Sequence, residues 1–289
     1  MLRVDDFLIT DDNYRSVCFD QTADGERFAM GLIPRNYSAV PVGSLEGSVT
    51  FGDAVDVPRI PLAEWPDRIA DKVAAKSQLS DIRNYANNGQ PIPSLDQNGR
   101  GYCWAHSATA AAILLRAVAG MPYVRLSAYA VACIIKDYRD QGGWGAQGLD
   151  FIRERGVPSV EHWPEKSVDR SNDNPATWDN AALHKVSEGF IDLDEPQYDR
   201  RLTFQQVGTC LLSNIPVVGD FNWWGHSVCL MDLVDVDTSK PATDMRRYGV
   251  RIWNSWRDSW GTNGTGVLTG SKAVPDGATA PRSIALSDK

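Results

Sequence analysis

Hydrophobic periodicity changes character along this chain, and that change constrains the fold more than any other feature. Between Cys103 and Gly120 the apolar residues Trp104, Ala108, Ala111, Ala112, Leu115 and Val118 recur at three- and four-residue steps, ended by Gly120 and Pro122. This is the pattern of a helix stopped by breakers. Its alanines let a neighbouring element approach closely, so the helix is expected at the centre of the molecule. Helical spacing also covers Glu64 to about Ala86, with Trp65, Ile69, Val73, Ala74 and Ile82 on one face, and two stretches near 127–138 and 147–155. After about residue 190, NIPVVGDFNWW, HSVCLMDLVDV, YGVRIWNSW and GTGVLTG alternate or run apolar between turn residues, as antiparallel strands do. Helices first and strands second predict an α+β fold of two subdomains with a cleft between them.

Residues 1–57 lack a helical period and are punctuated by Pro34, Pro41, Gly43, Gly47 and Gly52. They read as turns and short strands, an N-terminal accessory arm ahead of a domain over 58–289. Within that domain about 95–190 is expected to be the helical subdomain, about 191–270 the β subdomain and 271–289 a loose tail. The net charge of -8 repels a phosphate backbone, which excludes nucleic acid as the expected partner. No stretch approaches the ~18 apolar residues of a membrane span, and the amino terminus lacks the pattern of a signal peptide. Five scattered cysteines, an odd count, argue for the cytoplasm or another reducing compartment. The sequons at Asn36 and Asn263 are then chance matches.

Chemistry concentrates at three places. In DQNGRGYCWAHS, Cys103 falls at the first turn of the central helix, where free amide protons and the positive end of the helix dipole stabilise a thiolate. The alternative is a small buried residue. Of the four histidines, His106 lies on the same helix, but no second pair has ligand spacing, so no metal site is expected. His162 and His184 sit in polar, loop-like context and read as solvated. His226 opens an apolar strand in NWWGHSVCLMDL, after two tryptophans and a glycine. In WNSWRDSWGTNGTG, Asn254 stands among indoles, where an amide oxygen can orient an imidazole away from water; the alternative is an aromatic turn with an incidental asparagine.

The segments QNGRGYCW, GHSVCL and WNSWRDSWGTNG, in this order, resemble the three signature segments of the papain family of cysteine peptidases. The similarity covers roughly residues 60–270. It implies a papain-like fold, a peptide or protein substrate and no cofactor. It also implies Cys103 as nucleophile, His226 as general base and acid, Asn254 holding the imidazole and Trp256 shielding that contact. Gln97 and the Cys103 backbone amide would form the oxyanion hole, and Gly142 and Gly143 would bind an extended substrate backbone. The reaction would be acyl transfer through a thioester, closed by water. Gly143, Gly145 and Gly148 also spell GxGxxG, but a helical stretch precedes them, so a dinucleotide reading is set aside.

Departures from the family carry expectations of their own. Arg100 and Asp140 stand where secreted members place a disulfide and are expected to form an ion pair. Gly225 replaces a frequent aspartate or asparagine, and His106 replaces an aromatic residue. The long interval from His226 to Asn254 implies a protruding hairpin around Asp237–Arg246. No long helical prosegment of the family's type is present, so residues 1–57 are read as an accessory arm, with a self-inhibiting segment as the alternative. The GLIPRNYS stretch resembles papain-like proteins encoded by bacteria and phages, which implies an assembly or virion partner for this arm. Two other readings stay open: a transpeptidase or amidase using the same acyl-enzyme, and a structural or binding component that keeps the fold.

Overall fold

The computed structural model describes residues 2–19, 30–193 and 199–283. In chain order the helices are α1 (Tyr14–Phe19), α2 (Trp65–Ala74), α3 (Leu79–Tyr85), α4 (Cys103–Val118), α5 (Ala128–Ile135), α6 (Gly145–Arg155), α7 (Pro175–Ala182) and α8 (Arg200–Leu212). The strands are β1 (Leu8–Ile9), β2 (Ser48–Thr50), β3 (Phe190–Asp192), β4 (Val217–Phe221), β5 (His226–Asp235), β6 (Tyr248–Trp253), β7 (Thr265–Leu268) and β8 (Gly277–Pro281).

The central helix is where the alanine pattern puts it. Every residue of α4 from Cys103 to Arg116 is buried, so this helix has no solvent face over its first fourteen positions. Its small side chains set the packing distance. On α6, a Cβ at Gly148 would press on Ala108 Cβ and the Trp104 carbonyl, so only glycine lets the two helices lie this close.

Among the described residues all eight strands belong to one sheet in the order β1-β7-β6-β5-β4-β8-β3-β2. From β7 through β4 the neighbours are antiparallel. Strand β5 is buried along its whole length because α2, α3, α4 and α8 pack on it, which explains its nearly unbroken apolar run. The β5–β6 connection, residues 236–247, forms the expected hairpin and is tied at its base by Arg247 to Asp235 at 2.6 Å.

Several expectations are corrected. The stretch read as one helix over 64–86 is two, because Lys76 turns into a positive φ of 50° and a reciprocal cap between Gln78 and Asp81 starts α3 anew. Helix α8 falls inside the strand-rich half. Thr203, Gln206, Gly208 and Thr209 are buried on it, so it carries no apolar stripe by which to be recognised. Its Phe204 packs against Trp65, whose ring meets Tyr248 edge-on at 5.0 Å, linking α8 to α2 and β6. The tail is not loose over its first part: β8 is fully buried between β4 and β3, and residues 284–289 lie outside the described residues. The arm is not a free appendage either. It supplies β1 and β2, the outermost strands at the two opposite edges of the sheet.

Candidate active site

Cys103 is the first residue of α4, on the side of the helix start where Tyr102 provides no side-chain cap. The preceding turn is fixed from several directions. Trp104 Nε1 donates to the Gly101 carbonyl at 3.2 Å, and the Gly101 amide donates to Asp140 Oδ1 at 2.8 Å. This last contact replaces the expected ion pair. Arg100 and Asp140 form none; Asp140 serves a backbone amide instead, and the Arg100 guanidinium lies 5.9 Å from the centre of the Tyr102 ring.

His226 opens β5 directly after a tight turn in which Gly225 adopts a φ of +66°. That left-handed conformation suits glycine and accounts for the residue found there. The ring is fully buried, with Trp224 at 4.8 Å and Trp256 at 4.5 Å, and Trp260 edge-on to Trp256. His226 Nε2 lies 2.8 Å from Asn254 Oδ1, which also accepts from the Ser255 backbone amide at 2.8 Å. The second bond identifies that atom as the amide oxygen, so Nε2 carries the proton. His226 Nδ1 is consequently an unprotonated nitrogen, buried and without a hydrogen-bond partner.

The sulfur of Cys103 meets the backbone amides of Ser227, the residue after His226, of Gly31 and of Trp104. Burial pushes this thiol up to about 12, with the charge of Asp220 adding to the rise and the three amides opposing it. Burial also pushes His226 down to about 4, against the bond to Asn254. Both shifts favour the uncharged forms, and no hydrogen bond joins Sγ to Nδ1.

Gln97 is tied to the same framework. Its backbone amide donates to the Ser255 carbonyl at 3.0 Å, its Oε1 accepts from Ser255 Oγ at 2.6 Å, and its Nε2 donates to the Arg100 carbonyl at 2.7 Å. The asparagine loop and the loop before α4 are therefore bonded through one pair of residues.

Gly142 and Gly143 border the site, and an extended segment of the chain itself lies on them. Ile33 N donates to Gly143 O at 2.8 Å and Gly143 N to Gly31 O at 2.9 Å, while Leu32 N donates to Gly225 O at 3.0 Å. A Cβ at Gly143 would run into the Trp104 ring, and one at Gly142 into the Gly31 carbonyl, so bare backbone is required at both. Residues 30–33 thus run beside Cys103, the glycine edge and the turn before His226. Nothing in GLIPRNYS signals this placement, because pairing through backbone groups leaves no mark on side-chain identity.

Two of the other histidines, His106 and His184, are structural. His106 donates Nδ1–H to the Tyr102 carbonyl at 2.8 Å and is pushed down to about 4 by burial. His184, expected at the surface, is buried with Nδ1 on the Val157 carbonyl at 2.9 Å. All five cysteines are free and buried. Among the described residues no cluster of three or more histidine, cysteine or carboxylate side chains could hold a metal ion, and no helix is long and apolar enough to cross a membrane. A residue that the sequence did not mark is Asp220 on β4. It is buried, accepts from the Gly145 amide at 2.9 Å through Oδ2, and has no partner for Oδ1.

Comparison with known proteins bears on the fold. The structure of digestive procathepsin L2 proteinase from Tenebrio molitor larval midgut superposes with a TM-score of 0.56 over 90% of this chain and 78% of that one, at 16% identity. The proform of Amb a 11, a ragweed pollen cysteine protease, does so with a TM-score of 0.53 over 88% and 74%, at 16% identity. The chain has the papain-like fold of the cysteine proteases. In sequence it is 24% identical to mouse cathepsin K over 225 residues, 75% of this chain, and it spans 64% of that relative's length. No family model matches the chain. The resemblance carried by QNGRGYCW, GHSVCL and WNSWRDSWGTNG is therefore matched by a papain-like architecture of mixed helix and sheet.

Proposed function

We propose that this papain-like protein is a cysteine peptidase that hydrolyses peptide bonds through Cys103, His226, Asn254 and Gln97. The observation that carries the reading is the state of the His226 ring. With Nε2–H committed to Asn254, Nδ1 is a buried base with no partner, on the residue next to the Ser227 amide that touches the Cys103 sulfur. Nδ1 takes the thiol proton as sulfur attacks the substrate carbonyl. The oxyanion is met by the Cys103 amide and by Gln97 Nε2, and the imidazolium returns its proton to the leaving amine. Water, deprotonated by the same nitrogen, then opens the thioester and frees the acid. Trp224 and Trp256 keep bulk water from the His226–Asn254 bond, and Gly142 and Gly143 carry the substrate backbone as an added strand.

The same reading assigns residues 30–33 to a covering role. They occupy the backbone groups of Gly143 and Gly225 and bring the Gly31 amide against the nucleophile, so a substrate cannot engage until they leave. Self-inhibition thus replaces a purely accessory arm as the favoured role of this segment.

An epoxide electrophile tests the chemistry. Labelling confined to Cys103, lost in Cys103→Ala and slowed at least tenfold in His226→Ala, together with cleavage of a peptide library by the parent alone, is the expected outcome. Equal labelling of Cys103→Ala, or labelling of Cys103 with no peptide ever cleaved in an uncovered form, would overturn it.

A further inference from the structure

We propose that the cleft is opened in place: residues 30–34 lift off the active site while the arm on either side stays in the sheet, so the cover is displaced and never shed. This inference rests on the covering role given to residues 30–33. The arm enters the molecule at one edge of the sheet and leaves it at the other, and the cleft segment is the span between two anchors. At the first anchor β1 pairs with β7 through Leu8 and Ile9, extended by Val267 N to Phe7 O at 2.8 Å. There Asp6 pairs with Arg251, which also holds Asp232 at 3.1 Å, with all three side chains no more than 3% exposed. At the second, β2 pairs with β3, and Arg35 is bidentate on Asp192 at 2.6 and 2.8 Å, with 4% and 0% of these side chains exposed. The Arg35 guanidinium also lies between the rings of Tyr37 and Trp144, at 4.6 and 5.1 Å.

These two regions differ sharply in how they are held from the span they flank. Separating a buried ion pair leaves an uncompensated charge at low dielectric, whereas neutral backbone hydrogen bonds exchange for water at little net cost. The span from Gly31 to Pro34 has three such backbone–backbone bonds to the body besides the Gly31 amide on the Cys103 sulfur, and its Ile33 is 52% exposed. It is lightly held beside the two anchors, and Arg35 is the hinge post at its far end. A cut between Arg35 and β2 would leave both pieces bound.

Two measurements test this, and neither needs turnover. Gly31→Ala places a methyl group well inside contact distance of the Gly101 carbonyl, so the span cannot seat. Ile33→Pro, at an exposed position, removes the N–H given to Gly143 and serves if the first variant fails to fold. Either is expected to raise the alkylation rate of Cys103 by iodoacetamide at least tenfold with the chain intact by mass. A rate equal to the parent's in a folded variant would overturn the covering role. For the anchors, a site-specific protease sequence is inserted between the exposed Ser38 and Ala39 and cut. The two fragments are expected to co-elute in native buffer and to separate only in denaturant. Release of the N-terminal fragment in native buffer would overturn opening in place while leaving the covering role standing. Fast alkylation of Cys103 with no peptide cleavage would count against the peptidase reading and not against this one.

Discussion

Asn254 Oδ1 accepts from His226 Nε2 and from the backbone amide of its own neighbour Ser255, each at 2.8 Å. The imidazole is thus oriented by an amide group whose own rotation is locked by the main chain. Replacing Asn254 by alanine keeps the loop, because Asn254 N still donates to Gly264 O, but frees the ring. A lost buried hydrogen bond is worth ~1–3 kcal/mol, so kcat on a peptide substrate should fall roughly 10- to 100-fold with KM little changed. Steady-state kinetics beside the parent decide it; a fall confined to KM would mean that Asn254 serves binding and not ring orientation.

The oxyanion role proposed for Gln97 can be separated from the nucleophilic role proposed for Cys103 by choice of reagent. Gln97→Ala removes the side-chain donor and should lower kcat by ~100- to 1,000-fold, the usual effect of losing one oxyanion donor. Alkylation of Cys103 by iodoacetamide passes through no oxyanion and should keep its rate within about twofold. Parallel loss of both reactions would mean that Gln97 acts by holding Ser255 and the loop before α4.

How much of this was legible beforehand depends on what kind of interaction wrote the pattern. Helix α4 and strand β5 are packed by side chains, so their apolar spacing announced them, and Cys103, His226 and Asn254 stood out through their local company. Helix α8 escaped because it buries threonine, glutamine and glycine among its apolar residues. Strand β8 escaped because GATAP is too short and small to carry a period, and tertiary pairing with β4 and β3 decides its conformation. Placement of Gly31–Ile33 on Gly143 is written in backbone hydrogen bonds, and Arg35–Asp192 joins residues remote in sequence, so neither leaves a local trace. The Arg100–Asp140 expectation failed for a related reason: opposite charges at the positions where secreted family members place a disulfide suggested a pair, but the nearer claim on Asp140 was the Gly101 amide.

Gly208 on α8 tests the packing that the sequence concealed. A Cβ there would press into the six-membered ring of Trp65, which is itself wedged against Phe204 and Tyr248. With the ring fully buried and packed on Phe204 and Tyr248, Gly208→Ala should destabilise the chain by ~1–3 kcal/mol despite the better helix propensity of alanine. At ~2–4 °C per kcal/mol for a chain somewhat smaller than this one, the melting temperature should drop by several degrees. An unchanged or raised melting temperature would show that Trp65 yields.

Asp220 gives the stability a pH dependence of predictable sign. Burial raises its carboxyl from 3.8 to about 6, against the opposing pull of the Ser227 hydroxyl, the Gly145 amide and Arg35. The folded state therefore holds this proton over a pH range in which the unfolded chain has released it. The stability so contributed is complete below about pH 4 and is lost as pH rises through about 6. Asp220→Asn keeps an oxygen for the Gly145 amide and carries no charge to bury. It should match the parent at pH 4 and exceed it at pH 8 by ~2–3 kcal/mol, from ~1.4 kcal/mol per pKa unit. His106, His184 and His226, each pushed down to about 4 by burial, act in the opposite sense as pH falls below 6.5, but they are common to both proteins and cancel in the difference. Urea unfolding of the two proteins at pH 4 and pH 8 measures that difference directly. An equal gap at both values would mean that the carboxylate reaches solvent and that the unpartnered oxygen beside Gly145 is not enclosed.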